Sequence, residues 1–297
     1  MSSLPVSADI PSFPLLGFEQ KRNMVLNQIA QSERLVAVRP ASLLEVRPRP
    51  QMLSSGIPQL DAMTGGIPRG CLSEIYGPTS CGKSSVLLAT LAAATQRDES
   101  CVLIDASDSF DPASGAAAGV EFGKLLWVRC GGSEYLQIRA RMPVSPKCFV
   151  VEARAFLRPG SGQASPVQNL QQFLKATDLI LQSGGFGLVV LDLAAIPDKF
   201  VRRIPLTSWF RFQRAVEHTK TALLVISEIP CAQTCAALVM KLSGKLTAIS
   251  PQSSEKPAHA EILEGLCVEA ELVRSRLERK PAQSMRAGFE SRATRVG

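Results

Sequence analysis

Two histidines in 297 residues leave little scope for imidazole chemistry, and both, His218 and His259, stand apart from any cysteine. The eight cysteines (71, 81, 101, 130, 148, 231, 235 and 267) form no Cys-x-x-Cys pair. That scatter excludes the usual zinc spacings and reads as reduced thiols of a cytoplasmic protein. Long apolar runs are missing too: the longest, near Val86–Ala94, is too short and too Ala-rich to cross a bilayer. No basic-then-apolar signal segment opens the chain, so a soluble protein with no membrane partner is expected. Acidic residues are in the minority. The net charge of +7 favours polyanionic partners but carries no information about the fold.

What the chain does have is apolar mass: 45% hydrophobic against 20% charged residues supports a sizeable core. Its length suits one large domain with appendages or two modest ones. Residues 16–33 carry Met24, Val25, Leu26 and Ile29 at near-helical spacing, which predicts a short helix. Pro40, Pro48 and Pro50 then mark an extended linker. The pattern divides the chain into a helix and linker (1–52), a core (53–248) and a loop with C-terminal strands and a basic tail (249–297). Residues 133–168, rich in Pro and Gly, form an irregular excursion from the core, and 249–260 read as a loop.

Within the core, short apolar runs predict strands at 72–76, 101–105, 125–128, 188–192 and 222–226. Helices are predicted at 83–94, 167–182 and 206–217. Such alternation specifies an α/β fold with a mostly parallel sheet, right-handed crossovers and ligands at the carboxyl ends of the strands.

Gly77-Pro78-Thr79-Ser80-Cys81-Gly82-Lys83-Ser84 fits G-x-x-x-x-G-K-[ST] and lies where the chemistry requires it, after a strand and opening a helix. Glycines let the backbone approach phosphate oxygens, and successive N–H groups with the helix dipole stabilise the anion. Lys83 would reach the terminal phosphates of ATP, the Ser84 hydroxyl would ligate Mg²⁺, and Ser85 follows in the first helical turn. The run Leu188-Val189-Val190-Leu191-Asp192 ends in a carboxylate at a buried strand's carboxyl end, suited to the same Mg²⁺.

Ser55-Gly56-Ile57-Pro58-Gln59-Leu60-Asp61, Gly65-Gly66-Ile67-Pro68-Arg69-Gly70 and Glu74-Ile75-Tyr76-Gly77-Pro78 together resemble the opening of the ATPase core of bacterial RecA. Leu103-Ile104-Asp105-Ala106 with Asp111-Pro112 resembles its second strand and following turn, and Val273-Arg274-Ser275-Arg276 with Pro281 a late segment. The short N-terminal helix and reduced core resemble the ImuA-type proteins of damage-induced mutagenesis. The resemblance implies a RecA-like P-loop NTPase with a β-rich C-terminal extension. It also implies ATP and Mg²⁺ as cofactors, single-stranded DNA as partner directly or through another protein, and assembly into a homo-oligomer or filament. For an ImuA-type adaptor the implied partner is a RecA-type recombinase or a translesion polymerase.

The departures bear on hydrolysis. Where RecA has the glutamate that orients the attacking water, this chain has Ser107, a poor base; Asp108 is the neighbouring carboxylate that stands in as catalytic candidate beside Lys83. Where RecA has a glutamine sensing the γ-phosphate, this chain has Glu228, which repels phosphate unless it pairs with a cation or faces away. The segment CAQTCAALVMKL after it is short and reads as a packed helical turn in place of a long DNA loop. Residues 199–214 (KFVRRIPLTSWFRFQR) admit two readings: single-strand contact by arginines and stacking aromatics, or a helix burying Leu206, Trp209, Phe210 and Val216. Arg202 and Arg203, in the preceding loop, are open to both readings. Residues 266–276 can pair as a strand with 285–289, holding Arg274 and Arg276 at a sheet edge as a trans-acting pair or as solvated charge.

Overall fold

A computed structural model describes residues 17–31, 49–130, 149–152, 166–248, 263–277 and 285–292. Two compact units divide at Pro48. The first contains α1 (Phe18–Gln31), whose Glu19 and Arg22 pair one turn apart at 2.6 Å. Both side chains are solvated, so this pair adds little to stability.

The second unit is built on one nine-stranded sheet. Its strands are β3 (Leu72–Tyr76), β4 (Cys101–Asp105), β5 (Leu125–Arg129), β6 (Phe149–Glu152), β7 (Leu188–Asp192), β8 (Ala222–Ser227), β9 (Ala236–Ala248), β10 (Leu263–Ser275) and β11 (Arg286–Arg292). The order is β11-β10-β9-β3-β8-β7-β4-β5-β6, with every neighbouring pair from β9 to β6 parallel and the β9–β10–β11 meander antiparallel. A two-stranded ribbon of β1 (Met52–Leu53) and β2 (Ile67–Pro68) precedes it, linked by α2 (Pro58–Thr64). The central strands β4, β7 and β8 are buried at every position, which is why each reads as a continuous apolar run without alternation.

Helices cover both faces. On one side α3 (Lys83–Gln96) buries Val86, Leu87 and Leu91. On the other lie α5 (Pro166–Ser183) and α7 (Leu206–Val216), and α4 (Pro112–Ala117) and α6 (Asp198–Val201) are short connectors. Leu170 and Phe173 of α5 and Trp209, Phe212 and Val216 of α7 reach the core. Asp111 starts α4 by accepting from the N–H groups of Ala113 and Ser114.

The structure differs from the sequence expectations in three places. In α7, Phe212 is fully buried against Trp209, with ring centroids 5.9 Å apart, while Phe210 is 47% exposed. Positions 209, 212 and 216 share a face at helical spacing and 210 does not, so the inward aromatic is Phe212. In the segment after β8, the helical turn is limited to Gln233–Cys235, and Ala236 begins a thirteen-residue strand. In the excursion, Phe149–Glu152 form the edge strand β6 beside β5; residues 131–148 and 153–165 lie outside the described residues, as does the loop at 249–260.

Candidate functional site: the phosphate loop and the carboxyl ends of the central strands

The loop Gly77–Gly82 leaves the carboxyl end of β3 and turns into α3. Two of its residues adopt positive φ, Ser80 at 60° and Gly82 at 92°. Gly82 precedes α3 with no side-chain cap, leaving the first N–H groups of a fourteen-residue helix available to an anion. Lys83 is buried, and its ammonium donates to the carbonyls of Gly77 and of Pro78, the latter at 2.7 Å. Ser84 is exposed at the helix start. Ser85, expected to serve the ligand, instead directs its hydroxyl to Ser291 of β11 at 2.8 Å, leaving only its N–H group for an anion.

The glycines have a second role that the motif does not reveal. A Cβ on Gly77 would strike the Leu242 carbonyl of β9, and one on Gly82 would strike Val268 of β10. Gly244 of β9 reciprocates: a Cβ there would lie 2.6 Å from the Ser80 carbonyl oxygen. The loop is thus clasped from the sheet side by the C-terminal meander, and close packing demands glycine at all three positions.

Opposite the loop, β4 and β7 end level with each other, with Asp105 registered beside Asp192. Asp105 is fully buried and accepts N–H groups from Ser107, Ser109 and Phe110, at 3.1, 3.2 and 2.9 Å. Burial raises its pKa, while those donors act in the other direction. Asp192, 4% exposed, accepts from the Ala194 N–H at 2.9 Å. Burial foremost, then the Asp105 charge, pushes its carboxyl up to about 7, against the lowering influence of Lys83. A divalent cation displaces such a proton, so a carboxylate between a lysine and a second acid suits Mg²⁺. Among the described residues no group of three or more metal-ligating side chains stands ready-made, so phosphate oxygens and water would complete the shell.

Ser107 and Asp108 occupy the turn after β4. The Ser107 hydroxyl donates to Ser109 at 3.1 Å. Asp108, at φ 60°, does not stand free as a base: both its oxygens accept from Arg129, each at 2.6 Å. That guanidinium also lies 4.8 Å from the Trp127 ring centroid. A carboxylate held bidentately in this way is built to fix the turn rather than to take a proton.

Glu228 neither pairs with a cation among the described residues nor faces away. It accepts a hydrogen bond from the Thr79 hydroxyl of the phosphate loop at 2.6 Å. Sequence reasoning missed this contact because it joins residues 149 positions apart.

The remaining candidates lie away from the loop. Arg202 and Arg203 are exposed beyond α6, with Arg203 5.9 Å from the Phe200 ring centroid. Arg274 donates to the Gln233 carbonyl, and its Nε, buried, has no acceptor. A register shift follows Leu272, after which Arg274 sits beside Val239, itself level with Glu74. Arg276 is exposed just past β10. Both arginines therefore stand below this chain's own phosphate loop, and a cavity of about 430 Å³ lies beside Arg274, Gln233 and Tyr76. A second cavity, of about 560 Å³, opens at the opposite end of the strands and contains none of the phosphate-site residues.

A parallel sheet with this strand order, a phosphate loop after β3 and an acid ending β7 defines a RecA-like P-loop core. Residues 41–159 match the family described as RecA N-terminal domain. The protein RecA of Deinococcus radiodurans is 44% identical over 147 residues, covering 49% of this chain and 30% of that protein. The protein RecA of a Picosynechococcus species is 38% identical over 180 residues, covering 57% of this chain and 51% of that protein. The chain thus spans about a third to a half of the length of these relatives. The crystal structure of the RadB recombinase aligns over 82% of this chain and 96% of that one, at a TM-score of 0.47 and 17% identity. Over these stretches the chain is similar to RecA proteins.

Proposed function

We propose that this chain binds ATP with Mg²⁺ and acts on or beside single-stranded DNA in repair, recombination and the damage (SOS) response, with weak or absent hydrolysis. The observation that carries this reading is that Lys83 in the phosphate loop lies within electrostatic reach of Asp192, while no free base stands at Ser107–Asp108. In it, the first-turn N–H groups of α3 and Lys83 hold the phosphates. Ser84 and Asp192 hold the metal, which would stabilise charge developing on the terminal phosphate. Nothing in the turn after β4 accepts a proton from water efficiently. Arg202 and Arg203 supply DNA phosphate contacts. Arg274 and Arg276 face a neighbouring subunit in a homo-oligomer or filament, since they do not reach this chain's own loop. The cytoplasm is the compartment that suits these partners.

A second reading is favoured by the short link from β8 to β9. Cys231, Ala232 and Cys235 are buried in it, and the Cys231 and Ala232 N–H groups donate to the buried Glu74. A link stitched into the core is a poor DNA-ordered loop. It suits an ImuA-type adaptor that recruits a RecA-type recombinase or a translesion polymerase through its N-terminal helix or basic tail.

ATP turnover with and without single-stranded DNA, in wild type and Ser107→Glu, tests the first reading. Slow turnover in wild type that rises at least about tenfold in Ser107→Glu supports it. Fast DNA-stimulated turnover in wild type overturns the assignment of weak hydrolysis. Tight nucleotide binding with no DNA response in either protein favours the adaptor.

A further inference from the structure

We infer that Glu228 makes this phosphate loop selective for a nucleoside diphosphate over the triphosphate. The inference rests on the nucleotide-binding reading above and concerns which nucleotide state the site prefers. The Glu228 carboxylate lies against the loop itself, bonded to the Thr79 hydroxyl at 2.6 Å. Its charge also reaches the Cys81 thiol, two residues further along the same loop, where it opposes ionisation.

Glu228 is held there by the backbone on both sides. On one side Ser227 is fully buried, accepts the Gly77 N–H through its carbonyl at 3.3 Å and donates its hydroxyl to the Ile229 carbonyl at 2.8 Å. On the other, the N–H groups of Cys231 and Ala232 bind the Glu74 carboxylate on β3, the latter at 3.0 Å. Three residues between these two anchors leave the carboxylate little room to withdraw. Among the described residues, no cation forms an ion pair with it.

The loop's cation, Lys83, is shared by whatever phosphates bind. A diphosphate in the cradle of first-turn N–H groups meets that cation and the helix dipole. A further terminal phosphate adds up to two negative charges beside Glu228 in a partly buried setting, where like charges repel more strongly than in water. The carboxylate therefore penalises the third phosphate selectively.

Equilibrium titration of the full chain with Mg–ADP and with the non-hydrolysable Mg–AMP-PNP decides it, in wild type, Glu228→Gln and Glu228→Ala. Gln keeps an acceptor for Thr79 and removes the charge; Ala supplies a second neutral variant should Gln perturb folding. Wild type is expected to bind ADP about tenfold more tightly than AMP-PNP. In both variants AMP-PNP affinity should rise by about tenfold, with ADP affinity changing less than about threefold. Wild type binding AMP-PNP as tightly as ADP, or a neutral variant shifting both nucleotides equally, overturns the inference. A fall in AMP-PNP affinity in both variants also overturns it and makes Glu228 a metal or phosphate-positioning group. Absence of binding by either nucleotide to every protein removes the nucleotide reading itself, a result distinct from lost discrimination.

Discussion

Asp192 is the residue on which the site's pH behaviour turns. Its folded pKa of about 7 exceeds the ordinary value of 3.8, so the ligand-free native state holds a proton that the unfolded chain releases. Its contribution to stability is greatest below about pH 4, and is lost as pH rises through about 7. Thermal melts of the ligand-free protein should therefore fall from pH 5 to pH 8, and Asp192→Asn should melt higher and with a flatter profile. An unchanged slope in that variant would place the titration elsewhere. Asp108 makes a different test. Asp108→Ala leaves the Arg129 guanidinium without its bidentate partner, at a cost of about 2 kcal/mol. Residual ATP turnover at a temperature where the variant is folded should be unchanged; a specific loss of turnover with wild-type stability would restore Asp108 as the base.

At the scale of elements, β4, β7 and β8 were legible because burial on both faces leaves short runs of Val, Ile and Leu that no exposed element tolerates. The phosphate loop was legible because its spacing encodes a backbone shape. β9 was not: its opening residues, Ala236–Leu242, have the composition of a helix, and only pairing with β3 and β10 makes them a strand. The inward face of α7 was misread by two residues, since Phe210 and Phe212 are chemically identical and only their angular position separates them. Phe212→Ala should destabilise by about 3–5 kcal/mol and Phe210→Ala by less than about 0.5 kcal/mol, measured by denaturant unfolding. Equal effects would contradict the placement of α7. Gly244→Ala tests the clasp on the phosphate loop: its methyl meets backbone atoms of Ser80 and Cys81, so nucleotide affinity should drop several-fold although residue 244 lies on a strand distant in sequence.

For the whole molecule, the consequence is that the loop Gly77–Gly82 and the C-terminal meander form one packed body. β9 meets the loop at Gly77 and at Ser80–Cys81, β10 at Gly82 and β11 at Ser85. None of these contacts could be found from sequence, because each joins segments more than 150 residues apart, and those of β9 and β10 depend on glycine's absent side chain. Among the described residues, Arg202, Arg203 and Arg276 are exposed and lie away from the phosphate loop. If Arg202, Arg203 and the basic tail contact DNA phosphates, affinity for single-stranded DNA should fall by at least about tenfold from 50 to 200 mM salt. A flat salt response would leave them as solvated charge. All of this depends on Gly77–Ser84 being a working phosphate site, the feature most plainly written in the sequence. Calorimetric titration of Mg–ADP into the full chain and into Lys83→Ala tests it most directly. Saturable binding in wild type, weakened at least about tenfold in Lys83→Ala, is the predicted result; equal affinity in the two proteins, or no binding to wild type, would contradict it.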